Sequence, residues 1–327
     1  MELAEDVVIV GAGIAGLAVS LGLHRLGIKS LVLESSANLR VTGFAFATWT
    51  NAWKALDAVG IGDYLRRQHE RIDGVVATST ITGQMGAQIS FKSKGKHGDH
   101  EVRIVKRKLL LEALAQELPQ GTIRFCSKVV SIDESNYFKL VILMMVLIGC
   151  DGVNSVVAKW LGFKTPVFTE RSAIRDVQIL TWAMATVISC CNSLEMVSVQ
   201  VLPLAMINLY IGFSLGFAIL QTKKPEENPA NLKQFVLNKL ENAADQHLRT
   251  VVEATELDNI VSSPLRYRHP WELIWGNISK GNVCVAGDAL HPMTPDIGQG
   301  GCAALEDGIV LARCLAQALK KQVIVSK

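Results

Sequence analysis

"VVIVGAGIAGLAVSLGLHRLGIKSLVLES", residues 7–35, runs from a four-residue apolar strand through a glycine turn and a helical stretch into a second strand, "SLVLE". That order is a βαβ unit. Gly11 permits the tight turn, Gly13 lets the backbone approach a pyrophosphate, and Gly16 lets helix and sheet pack closely. The helix start then offers free N–H groups and a positive dipole to phosphates. Glu34 closes the second strand, where an acid can hydrogen-bond ribose hydroxyls. A bare GxGxxG also marks purely structural turns, but strand, helix, second strand and acid together select dinucleotide binding.

Glu34 favours an adenosine with a free 2′-hydroxyl, so the site suits FAD or NAD and argues against NADP there. The other end of the chain separates the two. "GNVCVAGDALHPMTPDIGQGGCAALEDGIVLARCLAQAL", from residue 281, reads as an apolar strand (283–286), an acid at its carboxyl end (Asp288), a Pro/Gly loop and a long amphipathic helix. Ligands of open α/β sheets bind outside the carboxyl ends of the strands, which directs Asp288 to the same crevice. Gly298, Gly300 and Gly301 leave backbone N–H groups uncovered at a helix start, a nest for a partly negative heteroatom. A nicotinamide dehydrogenase has no need of that second nest. A flavin does, for its ribityl hydroxyls and its anionic reduced ring.

Three motifs now carry a family resemblance: "GAGIAGL" at 11–17, "GCDGVNSVVAKWLG" at 149–162 and "GDALHPMTPDIGQGGCAALED" at 287–307. The chain resembles the class A FAD-dependent monooxygenases of the aromatic-hydroxylase type, in the plant branch related to zeaxanthin epoxidase and salicylate-hydroxylase-like enzymes. The resemblance implies an α/β fold: a Rossmann-like FAD-binding domain with a parallel sheet, plus an inserted, mostly antiparallel substrate-domain sheet. It places the FAD-binding domain at 1–71, 105–165 and 265–327, and the substrate domain at 72–104 and 166–264. It also implies that Asp288 binds the ribityl chain and that Pro295 to Gly301 lie along the flavin ring. Arg107 in "VKRKLLLEAL" would neutralise FAD phosphate, and the backbone near Val129 would meet the adenine. Asp151 and Gly152 match the DG motif that serves both FAD and transient nicotinamide docking. Ala158 stands where the family has an arginine, which weakens the docking half of that match.

The implied chemistry is reduction of FAD by NAD(P)H, addition of O2 at flavin C4a, and transfer of one oxygen atom from the hydroperoxide to a small aromatic or olefinic substrate. The protein's share is a dry cavity and donors for the anionic ring. The reading assigns no catalytic side chain and no metal. Read from its residues alone, Arg107 is equally a solvated member of the "KRK" run at 106–108. His291 has two readings, a catalytic base or, as is commoner for a loop histidine beside prolines, a structural residue. The rival to an active enzyme is a non-catalytic FAD-binding remnant.

Bulk properties agree with a soluble enzyme. The 327 residues are 49% apolar, enough for a sizeable core, and 33 basic and 30 acidic residues are interspersed, which leaves no nucleic-acid groove or polybasic tail. Seven cysteines are scattered without a CxxC or other metal-ligand spacing, and their odd number argues against a full disulfide framework and suggests a reducing compartment. The acidic N-terminus lacks a leader pattern, so cytoplasm is expected.

Residues 175–222 depart from the family. From Val197 to Leu220 there is no charged side chain. A membrane span would be long enough but is broken by Pro203 and Asn208, and it would split the inserted sheet. A pair of buried strands, "VSVQVL" then "INLYIGF", is a second reading. A thiol site at Cys190 and Cys191 lacks partners at ligand spacing. A substrate sheet read out of frame fits best, since chosen codons shifted by one base yield "MLQFFGNG" and "KFIYWFFTW", aromatic-rich strings of the family's kind. The segment 137–152 is also shorter than its family counterpart, and the chain ends at Lys327 where the family continues with further helices.

Overall fold

The computed structural model describes residues 7–40, 45–78, 82, 84–96, 98–132, 146–180, 209–218, 228–241 and 246–325. The expectations placed on 1–6, 137–145, 181–208 and 219–227, including Cys190 and Cys191, lie outside those residues.

The central sheet has six strands: β1 (Val7–Val10), β2 (Ser30–Leu33), β3 (Ile123–Arg124), β4 (Val146–Gly149), β5 (Ser279–Lys280) and β6 (Val283–Val285). Their order is β5-β6-β4-β1-β2-β3, with every pair parallel except the edge pair β5–β6. Such a sheet must be covered on both faces, which is why β1 and β4 read as unbroken apolar runs. Side chains alternate between the covers, as strand geometry requires. Val7, Ile9, Val32 and Ile148 join the core beneath the helices Ile14–Arg25, Thr50–Ala58, Arg107–Gln116 and Gly300–Val325. Val8, Val10, Leu31 and Leu147 pack with Val157, Ala158 and Leu161 on the other face.

The first helix is buried from Ala15 to Leu23, because it lies between the sheet and the C-terminal helix. Small residues make that approach possible. A Cβ on Gly308 would stand 2.5 Å from Ala18 Cβ, and one on Gly22 would stand 2.8 Å from Ala312 Cβ. Residues 228–255, with apolar Leu232, Phe235, Val236 and Leu240 at helical spacing, form two helices, Pro229–Lys239 and Gln246–Ala254. Leu232, Val236 and Leu240 are buried and Phe235 is half-buried, as their spacing requires.

A second sheet is antiparallel and three-stranded, in the order 209–218, 167–180, 261–267. Leu209–Ala218 is therefore a strand paired with Val167–Leu180, and this is the described part of the anomalous stretch. No helix among the described residues is long and apolar enough to cross a membrane. Val261–Tyr267 runs across the expected domain boundary at 264/265. The alternating segment "GAQISFKS", 86–93, contributes its first five residues to the strand Met85–Ser90, which among the described residues pairs only with Gly74–Thr78 and is exposed along its length. Alternation sets which residues share a face, not whether a layer covers it.

Candidate cofactor site

The crevice opens at the carboxyl ends of β1 and β4, whose outgoing connections lead to helices on opposite faces of the sheet, Ile14–Arg25 on one and Val156–Trp160 on the other. It is a cleft of about 420 Å³ whose floor is the glycine turn. Gly11 has φ +102°, and a Cβ there would meet the Cys150 carbonyl oxygen at 2.5 Å, so only glycine fits. Gly16 is equally constrained, since its Cβ would lie 2.0 Å from the Gly11 oxygen. Gly13 differs: it is the N-cap of the first helix, no side chain caps it, and nothing lies within 4 Å of where its Cβ would point. The first-turn N–H groups thus face open cleft, as a phosphate site needs.

Glu34 ends β2 with its carboxylate buried. It accepts hydrogen bonds from the N–H groups of Ala12 and Ser36, both at 2.9 Å, and from the Ser35 hydroxyl at 3.2 Å. Burial would raise its pKa, but those donors and the nearby Arg40 together hold it below the usual carboxylate range. The acid is therefore ionised and aimed at the glycine turn. The Ser127 N–H donates to the Glu34 carbonyl at 2.8 Å, which lays the backbone at Val129 along the same wall.

Arg107 is the first residue of the helix Arg107–Gln116 and lines the cleft opposite. Its Nε is buried and has no hydrogen-bond partner among the described residues. Burial lowers its pKa, the charge of Asp288 opposes that effect, and Arg40 adds to it. The solvated-run reading does not account for that buried Nε. A half-buried guanidinium with one donor unpartnered among the described residues, across from uncapped helix N–H groups, fits an anionic diphosphate.

Asp151 and Gly152 also line the cleft. The Asp151 carboxylate is committed to the start of the helix Val156–Trp160, accepting from Ser155 Oγ at 2.5 Å and from the Val156 N–H at 2.7 Å. Gly152 has φ +80°, the left-handed region that glycine accommodates.

Asp288 is exposed, in the short turn Gly287–Ala289 just beyond β6. It does not line the cleft, but its charge reaches Arg107, which does. The turn is fixed from below. Asp307 accepts from the Gly287 N–H at 2.8 Å and lies 2.5 Å from His291 Nε2. Burial pulls the His291 pKa down, but the Asp307 carboxylate outweighs it, and the net shift is upward. His291 thus braces the turn that carries Asp288.

The loop Pro295 to Gly301 stands outside the cleft, against the strand Ala45–Thr48 and Trp49. Gly298 has φ +61°, and its Cβ would lie 3.3 Å from Trp49 Nε1, while a Cβ on Gly301 would lie 2.8 Å from the Phe46 ring. Gly300 opens the C-terminal helix. Trp49 Nε1 is a second buried donor without a partner among the described residues. The structure therefore brings Gly11, Gly13, Glu34, Arg107, Val129, Asp151 and Gly152 to one cleft, keeps Gly16 in the packing beneath it, and sets Asp288 and the 295–301 loop alongside. Sequence reasoning missed Arg40, Ser127, Lys128 and Asn154 in the same cleft. It also missed the Arg171–Asp296 pair at the loop. Cleft polar residues on irregular segments carry no periodic signal, and a pair so far apart in sequence carries none either.

A parallel sheet with a glycine turn, a terminal acid and a free arginine at its carboxyl edge defines a Rossmann-like nucleotide-binding α/β protein. Comparison with known proteins narrows the class. A family model for the FAD binding domain matches residues 4–138 and 144–323. Monooxygenase 2 of Arabidopsis thaliana is 49% identical across 98% of this chain and 79% of its own length. 3-Hydroxybenzoate 6-hydroxylase 1 of Aquipseudomonas alcaligenes is 26% identical across 94% of the chain and 80% of its own. The structure of Klebsiella pneumoniae HpxO complexed with FAD and uric acid matches with TM-score 0.76 at 21% identity, covering 97% of this chain and 81% of that one. At that identity the last likeness is one of fold. The chain belongs to the FAD binding domain family of FAD-dependent monooxygenases.

Proposed function

We propose that this protein uses NAD(P)H and O2 to hydroxylate or epoxidise a small aromatic or olefinic molecule. The observation that supports the reading is Arg107: its buried Nε has no hydrogen-bond partner among the described residues, it lines the cleft with the glycine turn, and it feels the charge of Asp288. In this reading both ends of the chain serve a single elongated anionic ligand. The names of the relatives, a hydroxybenzoate hydroxylase among them, support an aromatic substrate.

Within this reading the chain divides the work. Gly11 permits the tight turn, its own N–H held by the Leu33 carbonyl, Gly13 lets the backbone approach the diphosphate, Arg107 neutralises it, and Glu34 meets the adenosine ribose. The backbone at Val129 meets the adenine. Asp288, braced through Gly287 by Asp307 and His291, meets the ribityl chain. Bound FAD supplies electron transfer from the nicotinamide and activation of O2. The Gly298 N–H, expected to be uncovered, instead closes the turn onto the Pro295 carbonyl at 2.9 Å; the donors left to favour the anionic reduced ring are those of Gly300 and Gly301 at the helix start. Residues 72–104 and 166–264 would form the cover that keeps the reacting face dry, and 1–71, 105–165 and 265–327 the FAD-binding body. Asp151 and Gly152 would receive the nicotinamide. Ala158, which is buried, supplies no cation to that docking.

The test is to purify the chain and ask for the yellow flavin spectrum, then for NAD(P)H oxidation with hydroxylated or epoxidised product from a panel of phenols, benzoates and olefins. Product formed in step with NAD(P)H consumed is the expected outcome. A chain that takes up no FAD overturns the cofactor reading. Bound FAD with peroxide release alone, across the panel, favours the remnant.

A further inference from the structure

The strand Val167–Leu180 is in register with Val261–Tyr267 at Phe168↔Arg266 and again at Ser172↔Pro264, so residues 169–171 stand against Leu265 alone. This is a β-bulge, and it contains Glu170 at φ +60°, a conformation that a side-chain-bearing residue adopts at a cost. Thr169 holds it in shape: its Oγ1 donates to the Leu265 carbonyl at 3.0 Å and accepts the Arg171 N–H at 3.3 Å. The bulge turns Arg171 toward the flavin loop. Its Nη1 and Nη2 reach Asp296 Oδ1 and Oδ2 at 3.0 and 2.6 Å, a two-pronged pair across 125 residues of sequence. Arg171, ahead of the smaller opposing cost of burial, holds the Asp296 carboxyl below its usual range.

Stability alone does not explain this arrangement. Asp296 is 44% exposed, and a pair open to water on one side adds little to folding, yet a strained bulge is maintained to make it. A bidentate arginine–carboxylate pair does fix direction. Asp296 sits in the turn Pro295–Ile297, immediately before Gly298. We propose that Arg171 is a positioning residue: through Asp296 it sets the Gly298–Gly301 loop against the antiparallel sheet, so that displacement of the sheet is passed to the backbone donors of that loop. The proposal rests on the reading of 295–301 as the loop along the flavin ring.

The test compares wild-type holoprotein with R171M, R171K, D296N and the charge-exchanged R171D/D296R. R171M and D296N are expected to shift the visible absorption and circular dichroism of bound FAD alike. They are also expected to raise NADH-driven peroxide release, while FAD affinity changes by less than roughly threefold because the phosphate cleft is untouched. R171K and the exchanged pair recover part of the wild-type spectrum. Hydrogen exchange at 295–301 is read on the same proteins and speeds up in R171M and D296N with or without flavin. Unchanged exchange together with an unchanged flavin spectrum in both single variants overturns the clamp. So do effects that simply add in the R171M/D296N double variant. A wild-type chain without flavin overturns the cofactor reading instead, and the exchange measurement still decides the clamp. If R171M does not fold, D296N and R171K carry the comparison.

Discussion

Arg107 is half-buried, and its Nε is buried with no hydrogen-bond partner among the described residues. Such a group costs stability in the empty cleft and returns it when an anion arrives. Arg107→Met is therefore expected to leave the melting temperature of the FAD-free protein unchanged or higher. It should weaken FAD roughly 10- to 100-fold, the factor set by a charge-assisted hydrogen bond of about 1.5–3 kcal/mol, as fluorescence titration would show. Gly11→Ala acts oppositely, driving a methyl group into the Cys150 carbonyl in a backbone conformation that disfavours it. Loss of both stability and FAD retention is expected, read by thermal unfolding and flavin content. Two titrations bear on pH. The folded-state pKa of Glu34 is lowered, so its contribution to stability is present above the unfolded value near 4.3 and is lost as pH falls through the folded value. That of His291 is raised, so its contribution is present below about 6.5 and is lost as pH rises through the folded value. His291→Gln should flatten the alkaline decline in melting temperature and leave the acid limb alone. Glu34→Gln should do the reverse.

Between elements, a close approach is that of the first helix to the C-terminal helix, made through Ala18, Gly22, Gly308 and Ala312. Gly308→Leu should cost about 1–3 kcal/mol or more in urea unfolding, because the helix backbones have no room to part without lifting the C-terminal helix from the sheet. Local elements of this body were legible in the sequence. The run 7–35 is contiguous, each face of β1 is apolar because both faces are covered, and the helix from Gly300 declares itself by period. The glycine turn and Glu34 of the cleft were legible too, since both sit where a strand ends, whereas Asp288, expected in the same crevice, is exposed and outside its lining. What the sequence could not show was how segments meet when no pattern links them. Alternation in Met85–Ser90 gave a strand but not its exposure. The periodic run 228–255 concealed a division into two helices. The uncharged run gave no decision between helix and strand until Leu209–Ala218 was found paired with Val167–Leu180. The buried Nε of Arg107 inside a basic triplet follows from its place at a helix start over the cleft, which no count of charges reveals.

At the scale of the whole molecule, the nucleotide cleft is shared by distant parts of one chain. Val7–Val10 pairs with Val146–Gly149, and Leu147 in turn pairs with Val283. Asp288, whose charge reaches Arg107, comes later still. A chain cut after residue 281 keeps the glycine turn, Glu34 and Arg107 but lacks β6 and the helix that covers the first one. It is expected to lose FAD on gel filtration, with flavin absorbance eluting apart from protein. The same pairing order governs synthesis. Because β1 emerges well before β4 and β6, the central strands wait with open edges and uncovered apolar faces while the intervening segments are made. Cofactor capture is then expected only once β6 is in place, and a shortage of FAD is expected to show first as aggregation of newly made chains rather than as idle enzyme.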